Sequence, residues 1–246
     1  MAAAGGPERL QKLIASAGLC SRRRAEALLR EGRVQLNGRP ARLGDRADPT
    51  RDRILVAGRP LGAAPEPLVL LLNKPIGVLS TCSDPRGRAT VLALLPASLR
   101  QGRGLHPVGR LDADSRGALL LTNQGELTLR LTHPRYGHRK TYRVWVEGHP
   151  SRDALARWRL GIHLDGRPTA PVAVRILGSR PDASCLEVVM GEGRNRQIRR
   201  TAAALGHAVV DLQRLAIGGL DLNGLPEGAW RRLARREWRA LQQQPC

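Results

Sequence analysis

Apolar residues recur at helical spacing near the start of the chain. In ERLQKLIASAGL, Leu10, Leu13, Ile14 and Ala17 share one face and Gly18 stops the run, which predicts a helix of about three turns. Ser21 is a good N-cap for RRRAEALLREG, where Ala25, Leu28 and Leu29 form a second stripe and Gly32 ends it. Asn37-Gly38 within VQLNGRPARLG is a hairpin dipeptide, because both central positions of a tight hairpin turn need positive φ. DRILVAGRPLG supplies another short strand. The first 60 residues therefore read as helix, helix, hairpin.

GAAPEP, residues 62 to 67, is rich in small residues and proline and reads as a linker. The expected domains are 1–62 and 68–246, joined by 63–67. Beyond the linker, LVLLLNKPIGVLS reads as a buried strand and turn, TVLALLPASL as a short helix and TYRVWVEG as an alternating strand. APVAVRILG and SCLEVVMGEG are further strands, while SRDALARWRLG and NRQIRRTAAALGH read as helices. Strands mixed with single helices, without strict β-α alternation, predict an α+β domain on a mixed, largely antiparallel sheet with flanking helices.

Charge changes the picture. Lys and Arg number 41 against 21 Asp and Glu, a formal +20 spread through the chain, and such a surface attracts a polyanion. The four cysteines lie far apart without a C-x-x-C pair, so neither a zinc ribbon nor a disulfide framework is predicted. The start MAAAGGPERL carries no basic-then-apolar leader and LVLLL is far too short for a membrane span, so a soluble cytoplasmic protein is expected.

GRLDADSRGALLLTNQGE, residues 109 to 126, sets Asp112 before a run of leucines, as a turn residue or as a chemical group. Asp112 and Asp114 form a D-x-D, a weak cation signal without further carboxylates, and no metal is expected. In EGRNRQIRR, rotation at about 100° per residue about a buried Ile198 sends Arg196 and Arg200 outward and places Arg199 at the edge. Arg199 could then reach a partly buried carboxylate. In KTYRVWVE, Tyr142 lies on the face of Val144 and Val146. A core tyrosine is the ordinary reading; the scarcity of other aromatic rings makes it a candidate for stacking a base.

The stretch Leu10 to Gly38, with Lys12, Gly18, Ser21-Arg22-Arg23, Ala25-Glu26, Gly32-Arg33-Val34 and Asn37-Gly38 in order, resembles the S4 RNA-binding domain. GRLDADSRGALLLTNQGEL, KTY and EGRNRQIRR, together with LLNKP, resemble the three motifs of RNA pseudouridine synthases of the RsuA/RluB branch. Ser115, Ala118 and Thr201 depart from the residues usual beside those motifs. The resemblance implies Asp112 as nucleophile, Tyr142 for base stacking and Arg199 as carboxylate partner. It implies RNA contacts from Arg9, Lys12, Ser21, Arg22, Arg23 and Arg33, and Arg110, Arg194, Arg196 and Arg200 are the further candidates for RNA contact in the second domain. It further implies ribosomal RNA as the partner, of the large subunit in preference to the small, no cofactor, and action as a monomer. A non-catalytic S4-type ribosome-binding factor is the second reading, against which the full Asp, Tyr and Arg set argues.

Overall fold

The computed structural model describes residues 6–243. The chain clusters into two compact units: one runs up to Leu68 and takes in Leu95–His106 and Thr122–Gly125, and the other holds the remainder.

In the first unit the opening helix, Leu10–Ser16, is shorter than its apolar periodicity predicts. Glu8 and Arg9 are extended instead, paired with Arg46–Ala47, and the Leu10 amide donates to the Asp45 carbonyl. The helix Arg22–Arg30 starts where its cap predicts, with Ser21 Oγ accepting from the Arg24 amide at 3.2 Å. Asn37 and Gly38 have φ of 51° and 82° and join the strands Val34–Leu36 and Arg39–Pro40. A second hairpin joins Ile54–Val56 to Arg59–Pro60 through Ala57 and Gly58, also at positive φ. Alanine is no turn signal, so this hairpin is not legible in sequence. The two hairpins pair into a four-stranded sheet. Leu10, Ile14, Ala25, Leu29 and Val34 lie in the buried core of this unit.

The second unit is α+β, as predicted. Its main sheet runs in the order Ala173–Arg180, Ala183–Met190, Lys140–Glu147, Val209–Ile217, Arg116–Thr122, Val69–Lys74, Trp230–Arg232. Val209–Ile217 is parallel to Arg116–Thr122, whereas the Lys140–Glu147 strand is antiparallel to both of its neighbours. Helices Arg152–Leu160 and Gln197–Ala204 bring Trp158, Ile198 and Thr201 together with Val188 and Met190, on the sheet face that carries Tyr142 and Val144. Helices Gly125–Thr132 and Arg235–Gln243 bury Leu127, Leu131 and Leu241 with Val69, Leu71, Ala118 and Leu120. The segment read as one helix after Thr90 is a 3-10 turn, Val91–Leu94, in this unit and a separate helical turn, Ala97–Arg100, counted with the first, divided at Pro96, since proline disfavours helix in the residue before it.

One glycine governs the join between the parallel strands. Gly117 has φ +111°, and a Cβ there would lie 2.2 Å from the Arg214 carbonyl oxygen and 2.7 Å from its amide nitrogen. Both contacts are backbone, so nothing flexible can yield. Gly117→Ala is expected to cost about 2–3 kcal/mol of stability, read as a lower urea midpoint at an unchanged denaturant slope. A loss below about 0.5 kcal/mol would show that the strands do not meet as described.

Candidate active site

Asp112 stands at the start of a turn closed by the Ser115 amide, which donates to the Asp112 carbonyl at 3.1 Å. Every carbonyl from residue 111 to 115 has its own donor. Ser80 Oγ donates to Leu111 at 2.8 Å and accepts from the Leu111 amide at 3.1 Å. The Gly77 amide donates to Ala113 at 2.7 Å, Arg199 Nη2 to Asp114 at 2.7 Å and Lys74 Nζ to Ser115 at 2.7 Å. Leucines Leu119 to Leu121 follow, fully buried in the strand that leaves the turn. A loop with no unpaired carbonyl has little freedom to rearrange, so the direction of the Asp112 side chain is set by its backbone.

That side chain, 30% exposed, lines a cleft of about 370 Å³ together with Tyr142, Ser115, Met190, Leu212 and the Gly193–Arg199 stretch. Tyr142 is buried in the strand Lys140–Glu147, between Val188 and Arg214 on the neighbouring strands. Arg196 Nη1 lies 3.6 Å from Asp112 Oδ2, and the same guanidinium forks onto Asp114 at 2.7 and 3.1 Å. Arg199 Nε lies 3.4 Å from the Asp114 carboxylate. The hydrogen bond from Arg196, followed by the charges of Arg199 and Arg196, holds the Asp114 carboxyl below its ordinary range despite partial burial. Asp114 thus grips two arginines beside the turn. Among the described residues no group of three or more His, Cys, Asp or Glu side chains could hold a metal.

Two expectations about arginines change here. Arg199 reaches inward, as its place on the helix predicts, but its carboxylate contact is Asp114, and Arg196 is the arginine beside Asp112. The physical reason is that the helix begins only at Gln197. Arg196 is its N-cap, with φ 49° and ψ 31°, so a helical rotation carried back to it misdirects its side chain. Arg194 and Arg200 likewise face protein partners. Arg194 donates to the Arg167 and Pro168 carbonyls, and Arg200 forks onto Asp165 at 2.6 and 2.9 Å, so both hold the hairpin of His163–Leu164 and Arg167–Pro168.

In the first unit Arg22, Arg23 and Arg33 are exposed and carry no side-chain hydrogen bond or ion pair among the described residues. Arg9 donates to the Gly44 carbonyl, Lys12 pairs with Glu8, and the Ser21 hydroxyl is occupied as a helix cap. Arg110, in the second unit, is exposed at the cleft.

Lys74 is the residue that sequence reasoning missed. It closes the apolar strand Val69–Lys74, has no exposed surface, and donates to Ser115 and to the Pro75 carbonyl at 2.8 Å. Burial pushes its ammonium down to about 8, reinforced by Arg214 and opposed by Asp114, Asp112 and Glu227. The signal was a lone lysine ending a run of leucines.

The RNA pseudouridylate synthase family profile matches residues 68–204, and the S4 domain profile residues 8–54. The chain belongs to the RNA pseudouridylate synthase family, in the branch that carries an N-terminal S4 domain. It is 40% identical over 237 residues to the ribosomal large subunit pseudouridine synthase B of Bacillus subtilis, covering 95% of each chain. It is 38% identical to the enzyme of the same name from Yersinia pestis, over 92% of this chain and 72% of that one. A crystal structure of a pseudouridylate synthase superposes with a TM-score of 0.69 at 32% identity, over 95% of this chain and 99% of the other.

Lys74 generates a test. A lysine whose folded-state pKa is lowered opposes folding while protonated, so the cost is present below about 8 and fades as pH rises toward the unfolded value near ~10.4. Stability from this group therefore rises across that window. Lys74→Met is expected to remove that rise and, by freeing the Ser115 carbonyl, to lower turnover by up to about 100-fold. Urea unfolding of both proteins at about pH 7.5 and pH 10 checks it; an equal rise in native and variant chains would contradict the assignment.

Proposed function

We propose that the chain isomerises uridine to pseudouridine in large-subunit ribosomal RNA, with Asp112 as the reacting carboxylate. The observation that carries this reading is the Asp112 side chain, held by a turn whose carbonyls are all satisfied and lining one cleft with Tyr142 and Arg196. The two relatives named as large-subunit enzymes support the choice of RNA.

In the isomerisation the bond from C1′ to N1 breaks and one from C1′ to C5 forms, while C5 loses a proton and N1 gains one. The reaction is redox-neutral and balances without a cosubstrate. Taking the base out of its RNA context costs a few kcal/mol. Phosphate contacts from Arg22, Arg23, Arg33 and Arg110 and the Tyr142 ring in the cleft offset that cost. The Asp112 carboxylate attacks C1′ as the bond to N1 breaks, or adds to the base, or takes a sugar proton; any bond it forms breaks again, and any proton it takes is returned, as C1′ joins C5. Arg196 is its counter-ion at 3.6 Å. Arg199 is a positioning residue, acting through the Asp114 carbonyl that it holds.

Asp112→Asn keeps the size and the turn but removes the reactive oxyanion. On an unmodified large-subunit ribosomal RNA transcript its single-turnover rate is expected to fall at least about 10³-fold, with RNA affinity nearly unchanged. Substantial turnover by the purified variant would sink the assignment. A second comparison separates the arginines: Arg196→Ala is expected to lower turnover at saturating RNA by about 10–100-fold, whereas Arg200→Ala, whose partner Asp165 lies on a hairpin away from Asp112, changes it little. Equal losses would remove the special role given to Arg196.

A further inference from the structure

The Asp112 turn lines two clefts. In the second, which Tyr142 does not line, Leu79, Ser80, Thr81, Ser83, Asp84 and Arg88 enclose about 420 Å³ against Arg110–Ala113. That volume lies within the roughly 300–1,000 Å³ typical of small-ligand sites. Arg110, Leu111 and Asp112 line both clefts. Arg110 is exposed and makes no hydrogen bond or ion pair among the described residues.

The opposite wall is built around one fixed guanidinium. Asp84 accepts from Arg88 Nε at 3.1 Å and from Nη2 at 2.8 Å, and its Oδ2 also accepts from the amides of Arg86 and Arg88 at 3.1 and 3.0 Å. The carboxylate side chain is 6% exposed, while that of Arg88 is 56% exposed. One edge of the guanidinium is thus spent on Asp84. Nη1 and the planar face have no partner among the described residues. A guanidinium plane held in this way is a surface on which an unstacked base can lie, and its remaining N–H groups can meet base acceptors.

We propose that this second cleft is a subsite for the nucleotide next to the target uridine, with its base on the Arg88 plane and the intervening phosphate on Arg110. The inference rests on the reading of the first cleft as the uridine site. It adds that a second nucleotide is read across the Asp112 turn, so that holding it places the uridine over the carboxylate. Arg88 is therefore a positioning and specificity residue. Asp84 orients it.

The test is a cycle between protein and RNA. The modified uridine is first mapped with the native chain on an unmodified large-subunit ribosomal RNA transcript, and RNAs lacking the base on either side of it are then prepared by ligation. On intact RNA, Arg88→Ala is expected to lower the single-turnover rate about tenfold or more. On RNA abasic at one of the two neighbouring positions, native and Arg88→Ala chains are expected to react alike, because the interaction is already gone. Arg88→Lys, which keeps the charge without the plane, should follow Arg88→Ala; it also serves as the probe if the alanine variant does not fold. Full activity of the variants on intact RNA, or the same penalty on both abasic RNAs as on intact RNA, would overturn the subsite. A native chain that forms no pseudouridine in ribosomal RNA would instead overturn the parent reading, and the subsite with it.

Discussion

The structure depends on one piece of bookkeeping in the backbone: five consecutive carbonyls, from Leu111 to Ser115, each accept a designated hydrogen bond. The donors come from four places in the chain, namely the strand ending at Lys74, the loop bearing Gly77 and Ser80, the turn itself, and the helix that begins at Gln197. A short exposed turn is ordinarily among the more mobile parts of a protein. Here it is tied to the sheet below by a buried ammonium and to a helix by a guanidinium. Asp112 is the residue on which these constraints converge, and its carboxylate has only the single ion-pair contact, from Arg196, among the described residues. Rigid backbone with a sparingly engaged side chain is what pre-organised chemistry requires.

The same arrangement explains how the arginines divide their work. Arg196 and Arg199 share Asp114, so one short carboxylate fixes two guanidinium groups near Asp112. Arg194 and Arg200 fix the hairpin after Leu160. Charges that look interchangeable in sequence thus serve different elements. Arg22, Arg23 and Arg33 of the first unit and Arg110 at the cleft are exposed and have no protein partner among the described residues.

Much of this was legible in the sequence, and the failures have physical causes. Local spacing placed Asp112 in a turn before buried leucines and Tyr142 on the apolar face of an alternating strand, and both lie there; the roles given to them came from the family resemblance, not from spacing. Arg196 was misdirected because a helical wheel assumes a helix; a left-handed N-cap breaks the periodicity one residue before it begins. Lys74 escaped because its burial depends on the Ser115 carbonyl, 41 residues away, which no local pattern reports. The central strands Arg116–Thr122 and Val209–Ile217 were not predicted either. They meet in parallel with Gln213 opposite Arg116, far apart in the chain, and such pairing leaves no hairpin signal between partners. The first unit, with local caps and an Asn-Gly turn, was read most fully.

The central claim is that this turn presents Asp112 to a uridine of large-subunit ribosomal RNA. The most direct measurement is a quantitative map of pseudouridines in both ribosomal RNAs, compared among cells with the native chain, cells without it, and cells carrying only Asp112→Asn. The account predicts that a large-subunit position is lost without the chain, returns with the native protein, and stays lost with Asp112→Asn present at equal abundance. Identical maps in all three, or restoration by Asp112→Asn, would contradict it.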